Sequence, residues 1–211
     1  MNSSRIFMCV LFGVIISFID FNNINGGTIY QNINRTYIEK YTQSNFDSVR
    51  ICLVNEVNDY INKASKNKST LDGSIVVDKC LEYDIDLCFV LAQGEIESHF
   101  GTEGLARKTN SVFNVLAFDG HSYNEISHNG KYSHPNNSVE PYLSLLRNSY
   151  LVDGKTEYDM LNEFVNNQGK RYASSKTYEI NLKNKRNKII NNTDIDNKYR
   201  VLKNEYCLIN S

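Results

Sequence analysis

The sequence predicts a mainly helical α+β fold with one small β-lobe, on three observations. Apolar residues recur at helical spacing through much of the chain. One run, Leu87 to Ala92, is apolar on nearly every face. A single stretch, Val112 to Phe118, is short, β-branched and aromatic, as strands are. With 211 residues there is room for one domain with a substantial core plus flanking segments. Basic and acidic residues nearly cancel (23 against 24, net charge −1), so there is no electrostatic case for nucleic acid as a partner.

The elements follow in order. Met1 to Arg5 is a short basic start, and Ile6 to Ile19 is an uncharged apolar run. Fourteen residues at about 1.5 Å each reach only about two-thirds of a ~30 Å hydrocarbon core. An export signal is therefore favoured over a spanning helix for residues 1–25. An uncleaved signal-anchor, giving membrane attachment through this apolar segment, is the alternative, since no small-x-small cleavage site follows clearly. Residues 26–45 are polar, Asn-rich and without periodicity, and read as a linker.

The folded domain is expected over 46–190. Phe46, Val49, Cys52, Val54, Val57, Tyr60 and Ile61 mark a first helix, and Ser74 to Tyr83 a second. A central helix starts near Asp86 and stops at Gly101, where glycine suits a C-terminal cap. The β-lobe then runs from Val112 to Tyr132, with Asp119-Gly120 and Asn129-Gly130 as turns. Helices resume from Ser138, as N-cap, to Tyr150, and again from Thr156 through Met160, Leu161, Phe164 and Val165. Gln168-Gly169 breaks that one. A last helix, capped by Ser174 or Ser175, reaches about Ile190, and 191–211 reads as a polar tail with an apolar finish.

Chemistry concentrates at the end of the central helix, in Ala92-Gln93-Gly94-Glu95-Ile96-Glu97-Ser98-His99-Phe100-Gly101-Thr102. A carboxylate at the end of an apolar helix loses hydration and faces the negative end of the helix dipole. Both effects favour its protonated form, which a general acid needs. Two carboxylates compete for that role, Glu95 and Glu97, and the helical wheel does not choose between them. Gln93 lies one turn before Glu97, within i,i+4 reach.

The string Ala92-Gln93-x-x-x-Glu97-Ser98-x-x-Gly101 resembles the signature of the peptidoglycan N-acetylglucosaminidases, glycoside hydrolase family 73. Gly101-Thr102, Leu105-Ala106-Arg107 and Asn110-Ser111-Val112-Phe113-Asn114 resemble its "GTS-x-x-AR-x-x-NNLFG" continuation, in the Bax-like variant. Tyr132, Ser138, Tyr142-Leu143 and Leu146 resemble its "Y-x-S…S-x-x-x-Y-x-x-LL" segment. Arg171-Tyr172-Ala173-Ser174 with Tyr178 resembles its closing "YAT-D-x-x-Y" motif. Four motifs in the right order cover roughly residues 74 to 190. The chain departs from the pattern at Phe100, where the family has Trp, at Asn114, where it has Gly, and at Ser175, where it has Asp.

The resemblance implies a lysozyme-like fold, with a cleft between a helical lobe and the β-lobe, and Glu97 as catalytic acid in it. It implies Tyr172 as a further catalytic residue. The second carboxylate would come from the β-lobe, as Asp119 or Glu125, unless the 2-acetamido group of the sugar assists. Gln93, Ser98, Phe100, Asn110, Phe113, Asn114, Tyr132 and Tyr178 are the implied substrate-binding residues. The implied reaction is hydrolysis of the β-1,4 bond between GlcNAc and MurNAc in peptidoglycan glycan strands, by an exported enzyme without cofactor. No Cys-x-x-Cys or His-x-x-x-His spacing occurs, so no metal is expected. The alternatives are a lytic transglycosylase or muramidase on the same polymer, whose "ES…GA-x-GLMQ" continuation does not follow Ser98 here, and a non-catalytic wall-binding or phage structural module. Cys52, Cys80, Cys88 and Cys207 either pair as two disulfides or serve as plain thiols, Cys80 and Cys88 lying among apolar residues.

Overall fold

A computed structural model describes residues 8–11, 14–17, 27–116, 120 and 122–209. Contacts divide the chain into a unit up to Thr42 and a compact unit from Gln43 to Ser211. In the first, β1 (Met8–Leu11) and β2 (Val14–Ser17) pair antiparallel, Met8 opposite Ser17 and Leu11 opposite Val14. These strands lie inside the segment read as an export signal; the rest of 1–25 is outside the described residues, apart from these eight positions. No helix among the described residues is long and apolar enough to cross a membrane.

The second unit is mainly helical. Helix α1 (Gly27–Ala64) ends in it, and the helix runs back through the stretch read as a linker. That stretch contains no proline to stop it. Leu53, Val57 and Ile61 form its buried stripe, while Cys52 points outward. Helix α2 (Gly73–Glu82) begins at Asp72, whose side chain accepts from Ser74 N at 2.8 Å, and is tied to α1 by Arg50–Asp78.

Helix α3 (Leu87–Ser98) is the core of the domain: every residue from Leu87 to Gly94 is buried. Asp86 caps it, accepting from Phe89 N at 2.8 Å. The helix ends three residues before the expected glycine, because His99 and Phe100 already take left-handed backbone (φ 47° and 59°) ahead of Gly101. A short α4 (Ala106–Thr109) follows.

From Val112 onward the expected β-lobe does not form among the described residues. Tyr123–Glu125, His128–Gly130 and Pro135–Ser138 are 3-10 turns. Asn110, Asn114 and Leu116 all have positive φ (54°, 50° and 63°), and a strand cannot keep its extended pleat through such residues.

Helix α5 (Val139–Leu145) continues as a π turn over Leu146–Tyr150. Ser138 stands at its N-cap position, but its hydroxyl donates to Pro135 O and accepts from Val112 N. Helix α6 (Glu157–Met160) is much shorter than expected. Thr156 and Asp159 close a capping box, but the chain then turns so that Val165 can bridge to Arg171. Helix α7 (Tyr178–Asn192) packs most extensively against α3. Helix α8 (Ile195–Ile209) occupies the stretch read as a tail. Ile195, Tyr199 and Leu202 recur at helical spacing and are buried, and Tyr199 donates to Ile85 O at 2.8 Å.

Candidate active site

Residues two positions apart on a helix are about 200° apart around its axis, so Glu95 and Glu97 leave α3 on different sides. Glu95 meets α1 and α7: it accepts from the Tyr60 hydroxyl and pairs with Lys185. Burial, with the adjacent Glu95 charge, pushes the Tyr60 phenol up. Glu97, half-buried, accepts at Oε1 from the Tyr178 hydroxyl and at Oε2 from Asn114 Nδ2, 3.3 Å away. The same Asn114 nitrogen lies 2.9 Å from the Glu97 carbonyl oxygen.

A buried chain of hydrogen bonds stands behind Glu97. Tyr142 donates to Gln93 Oε1, and Gln93 Nε2 donates to the Tyr178 hydroxyl at 3.1 Å. Gln93 and Tyr142 are each 0% exposed. An unpaired amide so deep would cost about 1–3 kcal/mol, so the tyrosines and the glutamine require one another. Burial first, then neighbouring charge including that of Glu97, holds the phenols of Tyr142, Tyr172 and Tyr178 well above the ordinary range. All three therefore keep their protons and can act as donors.

Tyr172 also meets the Gln93 side chain but takes a further partner. Its hydroxyl donates to Phe113 O at 2.8 Å, and its ring stacks on Phe164 at 4.6 Å. The phenol in direct contact with the carboxylate is Tyr178, at the start of α7.

The other expected residues divide by burial. Ser98 donates to Val112 O at 2.6 Å and accepts from Gly101 N at 2.7 Å, fully inside. Phe100 and Phe113 are each 1% exposed: Phe100 packs edge-on against Tyr60, and Phe113 stacks on Tyr142 at 3.8 Å. Gly94 permits this, since a Cβ there would lie 3.1 Å from the Phe100 ring and 3.3 Å from that of Phe113. Asn110 donates to Tyr132 O at 2.9 Å, and the Tyr132 amide donates to Thr109 O, closing the loop that carries Asn114. Glu125 is exposed and accepts from Ser122 N within a capping box. Asp119 lies outside the described residues. A groove of about 440 Å³ is lined by Glu95, Ile96, His99, Asn181, Lys185 and Lys188, and does not include Glu97.

The role of Tyr142 escaped the sequence reading, although its place in a motif marked it. A phenol that meets an amide 49 residues away in sequence leaves no local spacing to find.

Glu97 thus stands half-buried at the end of a core helix, backed by aromatic hydroxyls. The sequence profile of the glucosaminidase family, described as mannosyl-glycoprotein endo-beta-N-acetylglucosaminidase, matches residues 73–194. The chain belongs to this family, and is accordingly a glycoside hydrolase acting on peptidoglycan. Searches of curated proteins and of solved structures return no match.

Proposed function

We propose that the protein hydrolyses the β-1,4 bond between GlcNAc and MurNAc, with Glu97 as the general acid. The observation that carries this reading is the contrast at the end of α3. Glu95 is paired with Lys185, whereas Glu97 accepts hydrogen bonds from the Tyr178 phenol and the Asn114 amide. Protonated, Glu97 would deliver its proton to the glycosidic oxygen as the bond breaks and the anomeric carbon gains positive charge.

The second group is Asp119, Glu125 or the substrate's own 2-acetamido group. A carboxylate roughly 6.5–9.5 Å from Glu97 would activate water, and one nearer would act as nucleophile. Tyr172, in the aromatic wall behind Phe113, would orient the sugar or its acetamido group. Asn110, Tyr132 and the turns over 123–130 would form the small lobe facing the acid across a cleft. Gln93, Ser98, Phe100 and Phe113, expected at the substrate, are better suited to hold the site from behind, because their side chains are buried. Residues 6–19 would direct export to the wall.

The test is mass spectrometry of fragments released from purified peptidoglycan, after borohydride reduction, by the full chain and its Glu97→Gln variant. Reduced GlcNAc ends from the wild type alone are expected. Anhydro-MurNAc or reduced MurNAc ends would move the protein to the transglycosylase or muramidase reading, and no release would favour a binding module.

A further inference from the structure

We infer that Asn114 is a positioning residue for the catalytic acid, a role that the glycine at this place in the family's motif cannot fill. This rests on the reading of Glu97 as that acid. The backbone explains why the exchange is tolerated: φ at Asn114 is 50°, in the left-handed region where Asn is the best substitute for Gly. The side chain then adds what glycine lacks. Its Nδ2 carries two hydrogens and stands 2.9 Å from the Glu97 carbonyl oxygen and 3.3 Å from Glu97 Oε2. The amide cannot be turned the other way, since that would set Oδ1 against two acceptors.

Both contacts act on one residue. The Glu97 carbonyl belongs to the last turn of α3, where helix carbonyls lack partners along the helix. One N–H satisfies that oxygen and the other reaches the side chain, so the carboxylate is fastened to the end of its own helix. Tyr178 holds Oε1 from the opposite element, and the two donors together fix the carboxyl plane.

The electrostatic sense is opposite to that of burial. A donor on a carboxylate favours its ionised form, so Asn114 lowers the pH at which Glu97 gives up its proton. Among the described residues, the groups facing this region include Tyr142 from α5, Tyr172 from the loop before α7 and Tyr178 from α7, with Glu95 and Lys185 paired on the other side of α3. The three phenols stay protonated throughout the range concerned.

The experiment is a ¹³C NMR titration of glutamate-labelled full chain, the Glu97 carboxyl being assigned by its absence from Glu97→Gln. Wild type, Asn114→Gly and Asn114→Asp are compared, with kcat/KM profiles alongside. Glycine keeps the backbone and removes the amide, and its Glu97 midpoint should rise by roughly 0.5–1 pH unit. The alkaline limb of kcat/KM should rise with it, because the acid must be protonated to work. Asn114→Asp puts a second carboxylate beside the first and should raise the midpoint further. Should glycine loosen the loop, the aspartate variant keeps the side-chain shape and carries the test alone. A midpoint unmoved in Asn114→Gly overturns the role of Asn114, and one unmoved in Asn114→Asp overturns the contact between this side chain and the Glu97 carboxyl. The midpoint is read without substrate, so an inactive wild type would instead overturn the glucosaminidase reading.

Discussion

Two glutamates separated by one isoleucine are chemically identical in the unfolded chain and acquire different work from what folds against them. Glu95 receives a lysine and a phenol and becomes a strut between α1, α3 and α7. Its exchange for Gln should leave turnover within about threefold of wild type and cost about 2 kcal/mol in urea unfolding, the scale of a hydrogen bond to a charged group. Tyr178→Phe should act the other way. It removes a donor from Glu97 and strands one hydrogen of the Gln93 amide. Loss of carboxyl alignment predicts a fall in kcat of roughly 10- to 100-fold, with a smaller change in KM. Tyr172→Phe releases the Phe113 carbonyl and the contact with the Gln93 side chain, and unaltered turnover in that variant would remove Tyr172 from the mechanism. At this scale the motifs named residues that the fold brings together around Glu97, but not their partners. Ser98 and Phe100 follow Glu97 in the motif, and the resemblance places them at the substrate. The left-handed turn at His99 and Phe100 instead rolls the Phe100 ring into the core.

Among the elements, α3 carries the constraint that most limits variation. Gly94→Ala would gain up to about 1 kcal/mol of helix propensity. The added carbon would press on Phe100 and Phe113, both sealed and the latter already stacked on Tyr142. Overpacking of this kind costs about 1–3 kcal/mol. A net loss in thermal stability is expected, and an unchanged or higher Tm would show that the two rings yield. A stop after Thr193 tests α8. It removes the buried side chains of Ile195, Tyr199 and Leu202, worth roughly 5–9 kcal/mol by burial. Domains of this size are stable by only roughly 5–15 kcal/mol. Loss of the cooperative transition in circular dichroism is expected, whereas a mere tail would leave it intact. The helices α2, α3 and α7 were legible, although α7 starts after Thr177, with no side-chain cap, rather than from Ser174 or Ser175. Helix α8 was passed over because its three anchors are thinly spread among polar residues. The β-lobe was misread because left-handed backbone at Asn114 and Leu116 has no signature in hydrophobic pattern.

In the molecule as a whole, the cysteines show how burial decides chemistry. All four beyond the apolar start are free: Cys80 and Cys88 inside, Cys52 and Cys207 exposed. Burial pushes both inner thiols up, away from the reactive thiolate. A thiol reagent at pH 8 should therefore label Cys52 and Cys207 within minutes, and Cys80 and Cys88 only after denaturation. Rapid labelling of the inner pair would mean that the core opens readily. Acid and phenol lie 81 residues apart in sequence, on helices that meet only in the finished fold. A chain still being made thus carries Glu97 long before Tyr178 arrives to hold it. On the proposed reading, the cutting arrangement would come into being only when the last third of the polypeptide has closed over the middle one, and until then the cell that makes this protein would handle a blade without an edge.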